Sequence, residues 1–270
     1  MNEIKIDKVR RSLPSCWNEL SRTELLFACS MFNRNITAPF FKAGLLSKFL
    51  RIKKRLWNKM DITDIYYLSQ TLKFVLEDVT LTRALIKTIR SPRFPWTRLY
   101  GPQDAMNSST FGEFTMAQES YEQYNKTGKQ EHLDKMVAIL YRRKKHFWWI
   151  TRHVVDSTDP RQRLKDCALA ERSKSISRID PLVKQAVFLF FSGVQNSLPG
   201  RFPNVYRPKP KSDSTKPNGW VSLIISLADG KTDDQSLERI MNSNLYNVFL
   251  GLEDKSTEYF DFLKKYPSND

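Results

Sequence analysis

The sequence predicts an all-α protein: an irregular multi-helix bundle, a basic proline-rich connector and a small C-terminal helical subdomain. Three observations predict it. Two capping-box tetrads, Ser21-Arg22-Thr23-Glu24 and Thr110-Phe111-Gly112-Glu113, set a side-chain acceptor and its reciprocal glutamate at helix N-termini. Asp159-Pro160 and Asp180-Pro181 each put an N-cap acid before the residue best suited to begin a helix. Apolar residues recur three and four apart along most of the 270-residue chain.

The first capping box opens a helix over residues 23–33, carrying Leu25, Leu26, Ala28, Cys29 and Phe32. A second helix is predicted over residues 39–57, apolar through Phe40, Phe41, Leu45, Leu46, Phe49, Leu50 and Leu56, with a basic opposite face. Ile65, Leu68, Leu72, Val75 and Leu76 predict a third over residues 63–78, and residues 81–89 read as a fourth. Residues 90–106, rich in Pro and Gly around Trp96 and Tyr100, have no period and predict a connecting segment with a short extended piece. The second capping box opens a helix that Gly128 stops, and Leu133, Met136, Val137 and Leu140 mark its partner in a helical hairpin. The Asp-Pro pairs start helices over residues 161–172 and 182–195. The latter, apolar nearly all round from Val183 to Phe191, reads as the central core helix. Five prolines between residues 199 and 217 predict an unpacked loop. Residues 220–227, 236–241 and 245–265 follow as helices. The predicted division is a main helical domain over 1–198, a linker over 199–218 and an acidic helical piece over 219–270.

A content of 40% hydrophobic and 12% aromatic residues is far from that of a disordered chain. The first twelve residues alternate charge with isolated Ile and Val, predicting neither a secretory signal nor an anchor, and the apolar run over residues 186–191 is too short to span a membrane. Cys16, Cys29 and Cys167 form no C-x-x-C pair and read as reduced packing residues. The net charge of +15 draws the protein towards polyanions without choosing among them. That charge is unevenly placed. Residues 1–60 carry 13 Lys/Arg against 4 acids and residues 141–218 carry 17 against 6, whereas residues 219–270 carry 5 against 9.

Catalytic motifs fail on inspection. Gly230-Lys231-Thr232 ends like a phosphate-binding loop, but the first glycine of the cradle falls at Ile225. His132, His146 and His153 have no Cys or paired carboxylate at ligand spacing, and no nucleophile elbow, zinc-protease helix or deaminase pattern occurs. No catalytic residue, cofactor or metal site is assigned, and the protein is expected not to be an enzyme. Basic clusters beside aromatics offer one binding surface: Arg51, Lys53, Lys54 and Arg55 on one helix face, and Arg142, Arg143, Lys144 and Lys145 leading into Trp148 and Trp149. The alternative for each is a solvated corner, with the Trp pair as core. The basic amphipathic stretch over residues 40–57 suits an anionic membrane surface as well as a core, and no membrane partner is assigned.

Four segments in order carry a family resemblance: Leu13-Pro14-Ser15-Cys16-Trp17-Asn18-Glu19-Leu20-Ser21, Thr110-Phe111-Gly112-Glu113-Phe114, Met136-Val137-Ala138-Ile139-Leu140-Tyr141-Arg142, and Gly219-Trp220 leading into Leu227-Ala228. Their order resembles helical proteins encoded beside the tape-measure gene of tailed bacteriophages and prophages, treated as tail-assembly chaperones. The resemblance implies non-enzymatic binding of the tape-measure protein's amphipathic helices, in the host cytoplasm or with retention in the virion. It points to Phe111, Phe114, Met116 and Tyr121 on one helix, and Trp220, Leu223 and Ile224 near the other end, as partner-binding residues. The basic charge departs from what such chaperones lead one to expect. It favours the alternatives of a nucleic-acid-binding protein or a neck or baseplate component. Oligomeric state stays open.

Overall fold

The structure, a computed structural model, describes residues 2–6, 9–32, 34, 37–94, 96–146, 159–208, 227–228 and 233–265. In chain order these form the strands β1 (Asn2–Ile6) and β2 (Val9–Leu13), then helices α1 (Arg22–Phe32), α2 (Ala38–Phe49), α3 (Lys54–Trp57) and α4 (Ile62–Gln70). Strands β3 (Thr88–Arg90) and β4 (Arg98–Tyr100) precede α5 (Phe111–Thr127), α6 (Gln130–Leu140), α7 (Leu169–Ile176), α8 (Pro181–Arg201), α9 (Asp234–Asn242) and α10 (Leu245–Lys265). The fold is all-α in class. Among the described residues, strands are confined to two short antiparallel hairpins, β1–β2 and β3–β4. No described helix is long and apolar enough to cross a membrane.

The chain forms two compact units, Met1–Lys87 with Ile179–Asn196, and Thr88–Arg178 with Ser197–Asp270. In the first, Trp17 is fully buried, meets Phe74 edge to face at 5.8 Å, and donates its indole N–H to the Phe74 carbonyl at 3.0 Å. Asn18 clamps a segment far along the chain: its Oδ1 accepts from the Thr82 and Arg83 N–H groups at 2.8 and 2.9 Å. Residues 81–87, expected to be helical, form neither helix nor strand; the Asn18 clamp holds their start, and Leu81, Ala84 and Ile86 are buried. Gly193 of α8 lies against the Leu81 backbone so closely that any Cβ would overlap it. Val183, Ala186, Val187, Phe190, Phe191 and Val194 of α8 are buried, as befits the core helix.

The capping box of α1 forms in full, with Ser21 N–H donating to Glu24 Oε2 at 2.8 Å and Glu24 N–H to Ser21 Oγ at 3.4 Å. The single helix expected over residues 39–57 is two. Arg51 has φ +49°, its N–H donates to the Lys48 carbonyl, and the Ile52 N–H reaches back to Ser47 at 3.4 Å. That pairing is the Schellman terminator, here with arginine where glycine is usual, so the stop leaves no glycine to read. The helix expected over 63–78 also shortens, because at Thr71 both N–H and hydroxyl go to the Leu68 carbonyl, at 3.2 and 2.7 Å. The 3₁₀ turn Lys73–Val75 follows, burying Phe74 and Val75.

In the second unit, α5 packs on α6, α9 and α10, and α6 also on α7. Gly128, at φ +67°, ends α5 as its position predicts. Phe249 of α10 gathers Phe111, Phe114 and Phe202 at centroid distances of 6.2, 5.8 and 5.1 Å. The start of the expected loop is consequently packed: α8 runs through Pro199 to Arg201, and the Asn204 and Val205 N–H groups both donate to Glu253 at 3.0 Å. Residues 209–218 of that loop lie outside the described residues, as does nearly all of the helix expected over 220–227. Cys29 is buried, which pushes its thiol up to about 12, whereas Cys167 is exposed and so does not serve packing.

Because a left-handed conformation costs a non-glycine residue about 1–2 kcal/mol, part of it offset by glycine's looser unfolded chain, Arg51→Gly should stabilise the protein by about 0.5–1 kcal/mol. Urea midpoints of the two proteins check this. A loss of stability would contradict the assigned terminator.

Candidate functional site

Glu113 sits where two arginines must be neutralised. Thr110 caps α5 by accepting from the Glu113 N–H at 3.2 Å, but the Glu113 carboxylate does not turn back to complete the capping box. Only 4% exposed, it takes Arg142 on Oε1 and Arg161 on Oε2, the latter at 2.9 Å. Asp159 completes the cluster: both its oxygens accept from Arg161 at 2.9–3.0 Å, and Oδ2 lies 3.6 Å from Arg142 Nη2. Two cations and two anions leave no net buried charge, the condition under which such a group is tolerated. Arg161 spends its remaining donors on the Leu140 carbonyl at 2.8 Å, at the C-terminus of α6, and on Ser109 Oγ at 3.1 Å. Burial works against the charge of Arg161, but Glu113 and Asp159 outweigh it and raise its proton affinity. At Arg142 burial prevails and lowers it, though a guanidinium stays cationic in proteins.

The Asp159-Pro160 pair starts no helix. Asp159 Oδ1 accepts from the N–H of Arg161 at 2.9 Å, as Asp180 Oδ1 does from Leu182 where α8 begins, but it also takes the Arg161 Nε at 2.9 Å, and the chain beyond pairs with residues 143–145 instead. The helix expected over 161–172 is reduced to the 3₁₀ turn Asp166–Ala168 and α7. Arg142 exchanges both backbone hydrogen bonds with Tyr100 of β4, at 2.7 and 3.1 Å. Lys145 N–H then donates to the Pro160 carbonyl at 2.8 Å, and Gln162 N–H to the Arg143 carbonyl at 2.9 Å. Three extended stretches thus lie side by side. In such a chain neighbouring side chains face opposite ways, so Arg142 enters the buried cluster while Arg143 and Lys145 line a cleft; Arg161 is also buried in the cluster, and Gln162, Arg163 and Lys165 beyond it line the same cleft.

That cleft encloses about 720 Å³, within the roughly 300–1,000 Å³ typical of ligand sites. Its described lining includes six lysines and arginines, Arg93, Arg143, Lys145, Arg163, Lys165 and Arg172, against one carboxylate, Glu171. Glu171 is itself paired with Arg93. His146 adds an imidazole, and the Phe94 ring carries the guanidinium carbons of Arg93 and Arg143 at 5.4 and 5.3 Å from its centroid. Leu99 and Ile176 supply buried apolar wall. Like charge held in a concave, partly apolar setting focuses the field on whatever enters. A second hollow of about 650 Å³ beside α6 and α7 sets Glu131 and Asp134 against Lys135 and Lys174, and so carries no such excess. Among the described residues no group of three or more His, Cys, Asp and Glu could hold a metal ion.

The basic cluster read as one unit at 142–145 is therefore divided. Arg142, 1% exposed, belongs to the buried cluster and is no surface contact; this corrects the sequence reading. Arg143 and Lys145 line the cleft, and Lys144 is exposed with Nζ 5.9 Å from the Tyr100 ring centroid. Trp148 and Trp149 lie outside the described residues, as do Trp220, Leu223 and Ile224. Arg51, Lys53, Lys54 and Arg55 are exposed in the first unit. Phe111 and Phe114 are wholly buried on Phe249 and present no surface to a partner's helix, while Met116 and Tyr121 are half-buried. Arg93, Phe94, Arg163, Lys165 and Arg172 escape the sequence reading. Nothing local in Arg161-Gln162-Arg163-Leu164-Lys165 separates the buried Arg161 from Arg163 and Lys165 in the cleft. No protein-family model matches the chain, nor does any curated protein or solved structure.

Removing one member of a buried charge cluster leaves the others uncompensated, at a cost of about 3–5 kcal/mol. Glu113→Gln should therefore lower unfolding free energy by that amount in urea titration. A loss under about 1 kcal/mol would show that the cluster is not the anchor described.

Proposed function

We propose that this protein is a non-enzymatic nucleic-acid-binding protein whose phosphate contacts lie in the basic cleft. The observation that carries the reading is that, among the described residues, six lysines and arginines are set against a single, already paired glutamate around one concavity. Among the described residues neither Arg143 nor Arg163 has a carboxylate partner, so their charge is open to an anion from solution. Holding a phosphate chain needs only Coulomb attraction and the release of its counterions, with no reacting group. Phe94, with arginines on its ring, gives the cleft an aromatic wall that gathers those cations.

Binding to an oligonucleotide of about 20 residues, followed by fluorescence anisotropy, should give micromolar or tighter affinity at about 0.1 M salt, with a log–log salt slope of about −3 to −4. The triple variant Arg143→Glu, Arg163→Glu, Lys165→Glu should lose at least about tenfold and about two units of slope. Arg142 is left alone because it supports the fold. Unchanged affinity in a folded triple variant would sink the reading.

A second reading, tail morphogenesis through protein binding, follows the family resemblance and is supported by one observation in the first unit. Ile62, Tyr66 and Tyr67 of α4 are 79%, 61% and 72% exposed, an apolar surface in search of a partner. Ile62 and Tyr66, four apart, share a helix face. If this surface receives a tape-measure helix, a long helical reading frame lies beside the gene, its product co-purifies with this protein, and Ile62→Asp with Tyr66→Asp abolishes the capture. Capture that survives both changes counts against it.

A further inference from the structure

We infer that the cleft takes single-stranded nucleic acid, with an unpaired base stacked on Trp96. This rests on the reading of the cleft as a phosphate site and adds which form of nucleic acid it selects. Trp96 lies in the turn between β3 and β4 and is 81% exposed, the highest value among the large apolar side chains of the described residues. An indole left so open costs apolar burial and contributes nothing to the core of its own unit. Its ring centroid is 5.7 Å from that of Phe94, which lines the cleft. Phe94's ring is engaged by the guanidinium groups of Arg93 and Arg143, so the ring left to receive a base is the indole.

The turn that presents it is tied shut. Ser91 N–H donates to the Thr97 carbonyl at 2.9 Å, and Thr97 N–H to the Phe94 carbonyl at 2.8 Å. The turn thus sets Trp96 next to Phe94, whose ring carries the arginines. A duplex keeps its bases stacked inside and offers only its outer phosphates to such a surface. A single strand can thread phosphates past Arg143, Arg163 and Lys165 and turn a base outward onto the indole. Every base has a π-face, so the selection is for strandedness and not for sequence.

The test compares a mixed-sequence single strand of about 20 nucleotides with the duplex of the same sequence, by anisotropy at one salt concentration. Wild type should prefer the single strand by about tenfold. Trp96→Ala should remove most of that preference and leave duplex affinity as it was, and Trp96→Phe should restore the greater part. The triple charge reversal should weaken both forms. Equal affinity for the two forms, or a Trp96→Ala protein that still prefers the single strand tenfold, overturns the inference while leaving the phosphate reading intact. Failure of the triple variant to weaken either form overturns both.

Discussion

The second unit depends on the neutralisation of two buried arginines by Glu113 and Asp159. Each ion taken alone would cost several kcal/mol to remove from water. Together they cancel, and the geometry of the cancellation fixes where three extended stretches lie. Arg142 is tied to β4 by its backbone and to Glu113 by its side chain, and Arg161 is tied to Glu113, Asp159, Ser109 and the end of α6. With Arg142 held inward, the alternation of an extended chain turns Arg143 and Lys145 outward, and Arg163 and Lys165 meet them from the segment that follows Arg161. The cationic cleft is thus the outer side of the buried cluster, and the same two segments build both.

This arrangement separates two uses of arginine that the sequence presents as a single run. Arg142 and Arg161 are structural, desolvated and matched with carboxylates. Arg143 and Arg163, one or two residues further on, face solvent across a concave surface. Phe94 links the sides of that surface by drawing two guanidinium groups to its ring, at a worth of about 0.5–1 kcal/mol each where exposed. A polyanion entering the cleft meets charge that the fold has already gathered, so little ordering remains to oppose binding.

Much of the helical architecture was legible because its signals are local. The Ser21–Glu24 box, the Thr110 cap, the Gly128 stop and the Asp180-Pro181 start all act within one turn, and each stands where its residues put it. Much of what could not be read depends on partners elsewhere in the chain. Asp159-Pro160 has the same letters as Asp180-Pro181 and its carboxylate accepts the corresponding N–H, yet its segment pairs with residues 143–145 and runs extended. Asn18 holds the amides of Thr82 and Arg83 from 64 and 65 residues away. Arg51 ends a helix in a conformation that ordinarily announces itself by glycine. The candidate site suffered most, since it combines residues from the β3–β4 turn, two extended segments and α7. Arg143 and Lys145 were within reach of sequence reasoning, but Arg142's burial was not, because nothing local marks which of four consecutive cations will find Glu113.

Hydrogen exchange of the whole protein, with and without a single-stranded oligonucleotide, tests most directly whether the face built on the buried cluster is the working surface. Slowed exchange confined to residues 91–97, 143–146 and 162–176 is the predicted result. Protection of α4 with no change in those three segments would contradict it.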